Sequence, residues 1–224
     1  MRAVIPLGRG RPASLVYAAR ALEQHAGVTE LWTVGETPQG LTPDHHIPSP
    51  NTAKPTYLNV LAHLRAALAE MDGQPFIWSA DDIFPMVPYQ PGVYVRKESL
   101  AAHLRRYSNK GHYTQAVRAS IVLVRGLGFD PEQVPCGAIH RPWLVDPERA
   151  RWVTDSVHAH GAGEWKLAYV AGAIGTTPVG DPKIFGHGLP QPDADMISTE
   201  PGSWRYNAGR IIRETFKTPS RWEP

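Results

Sequence analysis

Residues 75–84 have the sequence PFIWSADDIF, an apolar run that ends in two acids, Asp81 and Asp82. A continuous apolar run of this length is typical of a strand that is buried on both faces of a parallel sheet. The acids then lie at the carboxyl end of the strand, where open α/β sheets bind their ligands. Two carboxylates suit Mg²⁺ or Mn²⁺, which keep coordination positions free for water and for substrate phosphates. The stretch therefore predicts a metal site and a nucleoside-diphosphate substrate.

The residues before this run alternate between strand and helix signals. Apolar stretches predict the strands, and apolar residues at helical spacing predict the helices, the first of which Gly27 should end. The polar segment between the second strand and the second helix is expected to form a loop over the carboxyl edge of the sheet. Because parallel strands need crossover connections, this order predicts a mainly parallel α/β sheet flanked by helices. In chain order the segments are strand 3–7, helix 15–26, strand 30–34, loop 37–55 and helix 58–71.

The second half of the chain is richer in helices and loops. Val93–Val95 predicts a short strand, and residues 176–201 are expected to be mostly loop. Asp146 precedes Pro147 and Glu148, an order that predicts the capped start of a helix. The predicted helices cover about residues 100–107, 112–125, 147–160, 165–173 and 203–216.

Composition limits the classes of function. The chain has 224 residues, enough for one good core, and we expect a single domain over residues 1–224. A formal net charge of +2 gives no reason to expect a nucleic-acid partner. One cysteine, Cys136, leaves no internal disulfide, so we expect a reducing, cytoplasmic location. No apolar run approaches the length of about 18 residues that indicates a membrane span, so none is expected.

The order of these elements, with Asn51 in the long loop and the segment Trp78-Ser79-Ala80-Asp81-Asp82, resembles the metal and nucleotide half of GT-A glycosyltransferases. The resemblance covers about Arg2 to Tyr89. Residues 76–84 and the segment Ile139-His140-Arg141-Pro142 are similar to Stealth-type sugar-phosphate transferases. Residues 197–199 and 219–223 are similar to small glycosyltransferases encoded by bacteriophages of actinobacteria.

The resemblance implies a GT-A-like, Rossmann-like fold that transfers a sugar from a nucleoside-diphosphate sugar to a protein or glycan acceptor, with Mn²⁺ or Mg²⁺. A phage origin would imply a virion protein or a host glycan as the acceptor, modified in the host cytoplasm. Residues 1–90 would bind nucleotide and metal, and residues 91–224 the acceptor. Asp82 would be the main metal ligand, while Asp81 would contact ribose, the metal or its water. The expected nucleotide contacts are Pro6, Leu7, Arg9, Arg11, Asn51 and Lys54.

Four residues of the second half are candidates for chemistry. His140 is expected to be a metal ligand or a catalytic group, and His187, between two glycines, competes for the metal role. Asp181 would accept the proton of the acceptor hydroxyl in an inverting transfer, and Lys183 would bind the diphosphate. The alternative for each is an ordinary solvated or turn-forming residue.

Two other classes of function remain open at this stage. Gly8-Arg9-Gly10-Arg11 resembles the glycine-rich loop of sugar nucleotidyltransferases, although Pro12-Ala13-Ser14-Leu15 replaces the lysine-containing segment expected after it. Transfer of a sugar 1-phosphate as a unit is a close variant of the leading hypothesis. A non-catalytic carbohydrate-binding module is disfavoured because both Asp81 and Asp82 are present.

Overall fold

The computed structural model of the chain describes residues 1–8, 13–49, 51, 57–106, 111–159 and 164–224, without the side chains of residues 158 and 159. The strands are β1 (Arg2–Leu7), β2 (Glu30–Gly35), β3 (His45–Pro48), β4 (Phe76–Trp78), β5 (Ile83–Pro85), β6 (Val93–Arg96), β7 (Trp143–Val145), β8 (Thr176–Val179) and β9 (Met196–Ser198). The helices are α1 (Leu15–Ala26), α2 (Tyr57–Glu70), α3 (Leu100–Arg106), α4 (Gly111–Gly126), α5 (Pro147–Ala159), α6 (Trp165–Tyr169), α7 (Pro201–Arg205) and α8 (Asn207–Thr215).

A central five-stranded sheet has the order β3-β2-β1-β4-β7. Its strands run parallel except for β7, which pairs antiparallel with β4. The prediction of a mixed α/β fold with a mainly parallel sheet and flanking helices is therefore confirmed. The chain passes from β1 outwards to β2 on one side, whereas β4 lies on the other side of β1, so the sheet has a topological switch point between β1 and β4.

Each face of the central sheet packs against its own layer. Side chains alternate along β1, so that Val4 belongs to one core cluster while Ala3 and Ile5 belong to the other. The first cluster contains apolar side chains of α2, α4, α5 and α6. The second contains those of α1 and α8 together with β5 and β9. Burial on both faces explains why these strands appear in the sequence as continuous apolar runs.

The run at residues 75–84 forms two strands, not one. β4 ends at Trp78, and β5 begins at Ile83 in a separate two-stranded sheet with β9. The connection is fixed at both ends, because Ser79 N donates to Val4 O at 3.0 Å and Thr199 N donates to Asp82 O at 2.9 Å. Asp81 and Asp82 consequently lie in the turn that joins the two sheets.

Four short strands were not predicted. β3 lies inside the predicted loop 37–55, β8 and β9 lie inside the predicted loop 176–201, and β7 falls between predicted elements. β8 pairs with β6 and β9 pairs with β5, so each depends on a partner that is distant in sequence. The predicted last helix is split into α7 and α8 at Tyr206, where φ is −112° and ψ is −144°.

The predicted ends of two helices are confirmed. α1 ends at Gly27, whose φ of 60° is the left-handed conformation that glycine adopts readily. α5 begins at Pro147, and Asp146 Oδ1 accepts a hydrogen bond from Arg149 N at 2.7 Å. None of the helices in the described ranges is long and apolar enough to cross a membrane.

Candidate functional site

A cavity of about 600 Å³ opens at the carboxyl ends of β1 and β4, which is the switch point of the sheet. From β1, the end of β4 and the segment after β4 it is lined by Pro6, Trp78, Ser79, Ala80 and Asp82. The opposite wall comes from the second half of the chain and includes Arg96, His140, Glu164, Lys166 and Asp181. Both halves of the sequence therefore contribute charged groups to one cavity.

Asp82 and Lys183 form an ion pair beside this cavity. Lys183 Nζ donates to Asp82 Oδ2 at 2.6 Å and also to the carbonyl oxygen of Thr199. The Lys183 side chain is 11% exposed and that of Asp82 is 30% exposed, so the pair is only partly shielded from water. The sequence predicted a role for both residues, and the fold brings them together.

Asp82 also lines a second, smaller cavity, and Asp81 lines that one only. This cavity of about 390 Å³ is lined by Asp81, Asp82, Ser14, Thr199 and Glu200, among others. Burial, and secondarily the negative charge of Asp82, raise the pKa of Asp81 to about 6. A cation bound beside Asp81 would stabilise its ionised form.

The residues present fit a divalent ion only as a partial site. No three His, Cys, Asp or Glu side chains in the described part of the chain are placed to hold a metal ion by themselves. Mg²⁺ and similar hard cations are commonly held by one or two carboxylates, with substrate phosphates and water completing the shell. Asp81 and Asp82 match that donor set. Their metal-binding role, predicted from the sequence, stays a prediction.

His140, Asp181 and Arg96 form a hydrogen-bonded network on the opposite wall. Asp181 Oδ1 lies 3.0 Å from His140 Nδ1 and accepts from His140 N at 3.2 Å, and Arg96 donates to the other carboxylate oxygen. Burial alone would raise the pKa of Asp181, but the hydrogen bond and charge of His140 and the charge of Arg96 outweigh it and lower the pKa to about 2. Asp181 is therefore ionised and a weak proton acceptor near neutral pH.

Glu164, Lys166 and Ser79 also line the cavity, and none of the three was predicted as a site residue. Lys166 Nζ lies 5.1 Å from the ring centroid of Trp143. Burial lowers the pKa of Lys166, against the negative charges of Glu164, Asp82 and Asp181, and burial raises the pKa of Glu164. The signal available in the sequence was a pair of opposite charges on either side of Trp165 in an otherwise apolar helix.

The predicted nucleotide contacts of the first half fall into three groups. Pro6 lines the larger cavity. Leu7 is buried, and its carbonyl oxygen accepts a hydrogen bond from Asn51 Nδ2 at 3.0 Å. Asn51 also donates to Glu36 Oε1 at 3.1 Å, so its amide group holds the loop against the end of β1. Arg9, Arg11 and Lys54 lie outside the described residues.

His187 lies apart from both cavities. It is exposed, it is not among the residues that line either cavity, and its ring packs on Tyr206 at a centroid distance of 3.7 Å. Trp143 and Trp165 are almost fully buried in the core, and the ring of Trp204 stacks on Phe84 and carries the guanidinium of Arg213.

No family model matches this chain, and no curated protein matches it either. The interpretation of the site therefore depends on the geometry described above.

Proposed function

We propose that this chain is a metal-dependent glycosyltransferase of the GT-A type, which moves a sugar from a nucleoside-diphosphate sugar to a protein or glycan acceptor. The observation that carries the proposal is the cavity at the switch point between β1 and β4, with Asp82 on its wall. Ligands of open α/β sheets bind in this crevice. Its volume of about 600 Å³ lies within the usual range for small-molecule sites.

Asp81 and Asp82 are the residues that would hold Mn²⁺ or Mg²⁺. The chemistry that the ion supplies when bound is neutralisation of the negative charge on the departing diphosphate. Lys183 stands against Asp82 and adds a positive charge of the protein's own at the same place. The carboxylate pair and the lysine together favour a substrate with two phosphates over an uncharged sugar alone.

His140 accepts the proton of the acceptor hydroxyl, and Asp181 positions it. The ionised Asp181 accepts a hydrogen bond from Nδ1 of His140, which keeps the proton on Nδ1 and leaves Nε2 free to act as the base. Arg96 fixes Asp181 from the other side. This division of roles differs from the hypothesis drawn from the sequence, in which Asp181 itself accepted the proton. The roles are changed because the low pKa of Asp181 makes it a weak base.

A binding and hydrolysis experiment tests the proposal. Thermal unfolding with a panel of nucleotide sugars, with and without Mn²⁺, should show one donor that raises the melting temperature only with the metal, because a ligand that binds the native state stabilises it. Metal-dependent hydrolysis of that donor should fall by about a hundredfold or more in Asp82→Asn. Asp155→Asn, which changes a carboxylate that is 73% exposed, is the matched control.

The outcomes separate the alternatives. Unchanged hydrolysis in a folded Asp82→Asn protein would overturn the metal site, and stabilisation by a nucleoside triphosphate with release of pyrophosphate would indicate a nucleotidyltransferase. That alternative depended on residues 8–11, of which 9–11 lie outside the described residues. The mass of the transferred group distinguishes a sugar from a sugar phosphate. In the same assay His140→Ala should lower transfer without weakening donor binding.

A further inference from the structure

Several polar atoms in the wall of the larger cavity lack hydrogen bonds. Ser79 Oγ, Glu164 Oε2 and Trp165 Nε1 are buried, and none has a partner within the described ranges. All three residues line the cavity. Buried polar atoms are nearly always hydrogen-bonded in native proteins, so a small displacement of these three side chains towards the cavity would let a bound molecule supply the missing partners.

Lys166 is the cation of this wall that remains available to a ligand. Arg96 and His140 are both engaged with Asp181. Lys166 has no carboxylate within ion-pair distance in the part of the chain that the structure describes, and the ring of Trp143 lies beneath its ammonium group. Glu164 and Lys166 flank Trp165, so the wall offers one negative and one positive group side by side.

The combination favours a neutral polyhydroxylated ligand over an anion. A diphosphate would be repelled by Glu164, and Asp81, Asp82 and Lys183 already provide a place for it. A sugar hydroxyl, in contrast, both donates and accepts hydrogen bonds. It can donate to the Glu164 carboxylate while it accepts from the Lys166 ammonium, and neighbouring hydroxyls can pair with Ser79 Oγ.

We propose that Ser79, Glu164 and Lys166 form the subsite that binds the hydroxyl groups of the transferred sugar. This inference rests on the proposed function, since it names the residues that recognise one part of the proposed donor. It assigns the nucleoside diphosphate and the sugar to different residues, with Asp82 lining the cavity that holds the sugar residues, and the two assignments are separable by experiment.

The test measures two affinities for each protein. Calorimetry with Mn²⁺ compares UDP-glucose, GDP-mannose and dTDP-rhamnose with UDP, GDP and dTDP, on the wild type and on Glu164→Leu and Lys166→Met. For the donor that binds, each variant should lose about tenfold or more in affinity, because each removes a hydrogen bond to a charged group. The affinity for the matching nucleoside diphosphate should stay within about twofold. Glu70→Leu and Lys217→Met, at exposed positions, are the controls.

Each outcome decides the proposal. Unchanged donor affinity in both variants would overturn the proposed sugar subsite. An equal loss of affinity for the sugar donor and for the free nucleoside diphosphate would overturn it as well. That second result would make Lys166 a phosphate contact and would leave the proposed function intact. Failure of the wild type to bind any of the six compounds would overturn the proposed function and this inference with it. If either variant unfolds, Ser79→Ala provides the same comparison.

Discussion

Lys183 and Asp82 form an ion pair, although different roles were predicted for them from the sequence. Lys183 was expected to bind the diphosphate and Asp82 to bind the metal. With an N–O distance of 2.6 Å, the lysine occupies one oxygen of the Asp82 carboxylate. In the proposed site a cation at Asp82 would therefore compete with Lys183 for this carboxylate.

We expect Lys183→Met to tighten the binding of Mn²⁺ alone. Methionine keeps the apolar stem of the side chain but removes the competing charge, so the affinity should rise roughly three- to tenfold, the ratio that corresponds to an ion pair of about 1 kcal/mol. Calorimetric titration of the nucleotide-free protein with MnCl₂ measures this, with Lys217→Met as the control. Weaker Mn²⁺ binding in Lys183→Met would mean that the lysine supports the metal site and does not compete with it.

Single residues were predictable from the sequence where their chemistry is visible locally. The pair of acids after an apolar run placed Asp82 at a sheet edge, and Asp181, Lys183 and His140 stood out in loops. Glu164 and Lys166 did not stand out, because charges at a helix start are usually solvated. Their position in a cavity wall follows from the packing of α6 against the central sheet, which no local pattern contains.

Elements were predicted well where they are long and poorly where they are short. The order β1, α1, β2, α2, β4 has a hydrophobic period that extends over enough residues to identify each element. β7 and β9 have three residues each and are defined by the partners they pair with, β4 and β5. The break between β4 and β5 was missed for a related reason, since two buried strands separated by a short turn give one apolar run.

The end of β2 is packed closely against β1 and α2. Gly35 has a φ of 120°, and a Cβ atom there would lie 2.3 Å from the carbonyl oxygen of Leu7 and 2.9 Å from the ring of His63. His63, on α2, is itself held by the carbonyl oxygen of Ser49 at 3.1 Å. The glycine therefore lets β1, β2 and α2 approach each other directly beneath the loop that carries Asn51.

We expect Gly35→Ala to lower the free energy of unfolding by about 3 kcal/mol or more, since it combines a disfavoured backbone conformation with a steric clash. Gly73→Ala is the matched control. Gly73 also has a positive φ, of 85°, but open space surrounds its Cβ position, so about 1 kcal/mol is expected from the backbone alone. Urea unfolding of both variants measures the difference. Equal costs at the two glycines would show that β1 can shift away from β2 without penalty.

The carboxyl-terminal segment is tied to α1 and to the residues around β2. Asp44 Oδ2 accepts from Trp222 Nε1 at 2.8 Å and from Leu31 N at 2.7 Å, so one carboxylate links the carboxyl-terminal segment to β2. Arg20 on α1 binds the carboxylate of Glu223. Trp222 and Glu223, which belong to the segment that resembles phage glycosyltransferases, thus have a structural role.

Global stability should depend on pH through two partly buried carboxylates whose pKa values are shifted in opposite directions. The pKa of Asp181 is lowered from 3.8 to about 2. Ionised Asp181 therefore stabilises the fold at any pH above its ordinary pKa of 3.8. This contribution is lost as the pH falls from about 4 to 2. The pKa of Asp81 is raised from 3.8 to about 6, so ionisation of Asp81 destabilises the fold above about pH 6. That cost disappears as the pH falls from about 6 to 4.

We therefore expect Asp81→Asn and Asp181→Asn to change stability in opposite directions near neutral pH. Asp81→Asn should raise the free energy of unfolding of the metal-free protein by about 2 kcal/mol. This value is smaller than the pKa shift alone would give, because Asp81 is partly exposed to solvent. The gain in stability should vanish below about pH 4. Asp181→Asn should lower the free energy by about 2 kcal/mol, and the deficit should persist at pH 4 and shrink only towards pH 2. Urea unfolding across this pH range measures both curves. If the free energy of unfolding of both variants changes with pH in parallel with that of the wild type, neither carboxylate has a shifted pKa. Saturating Mn²⁺ should remove the stability advantage of Asp81→Asn if Asp81 helps to hold the ion.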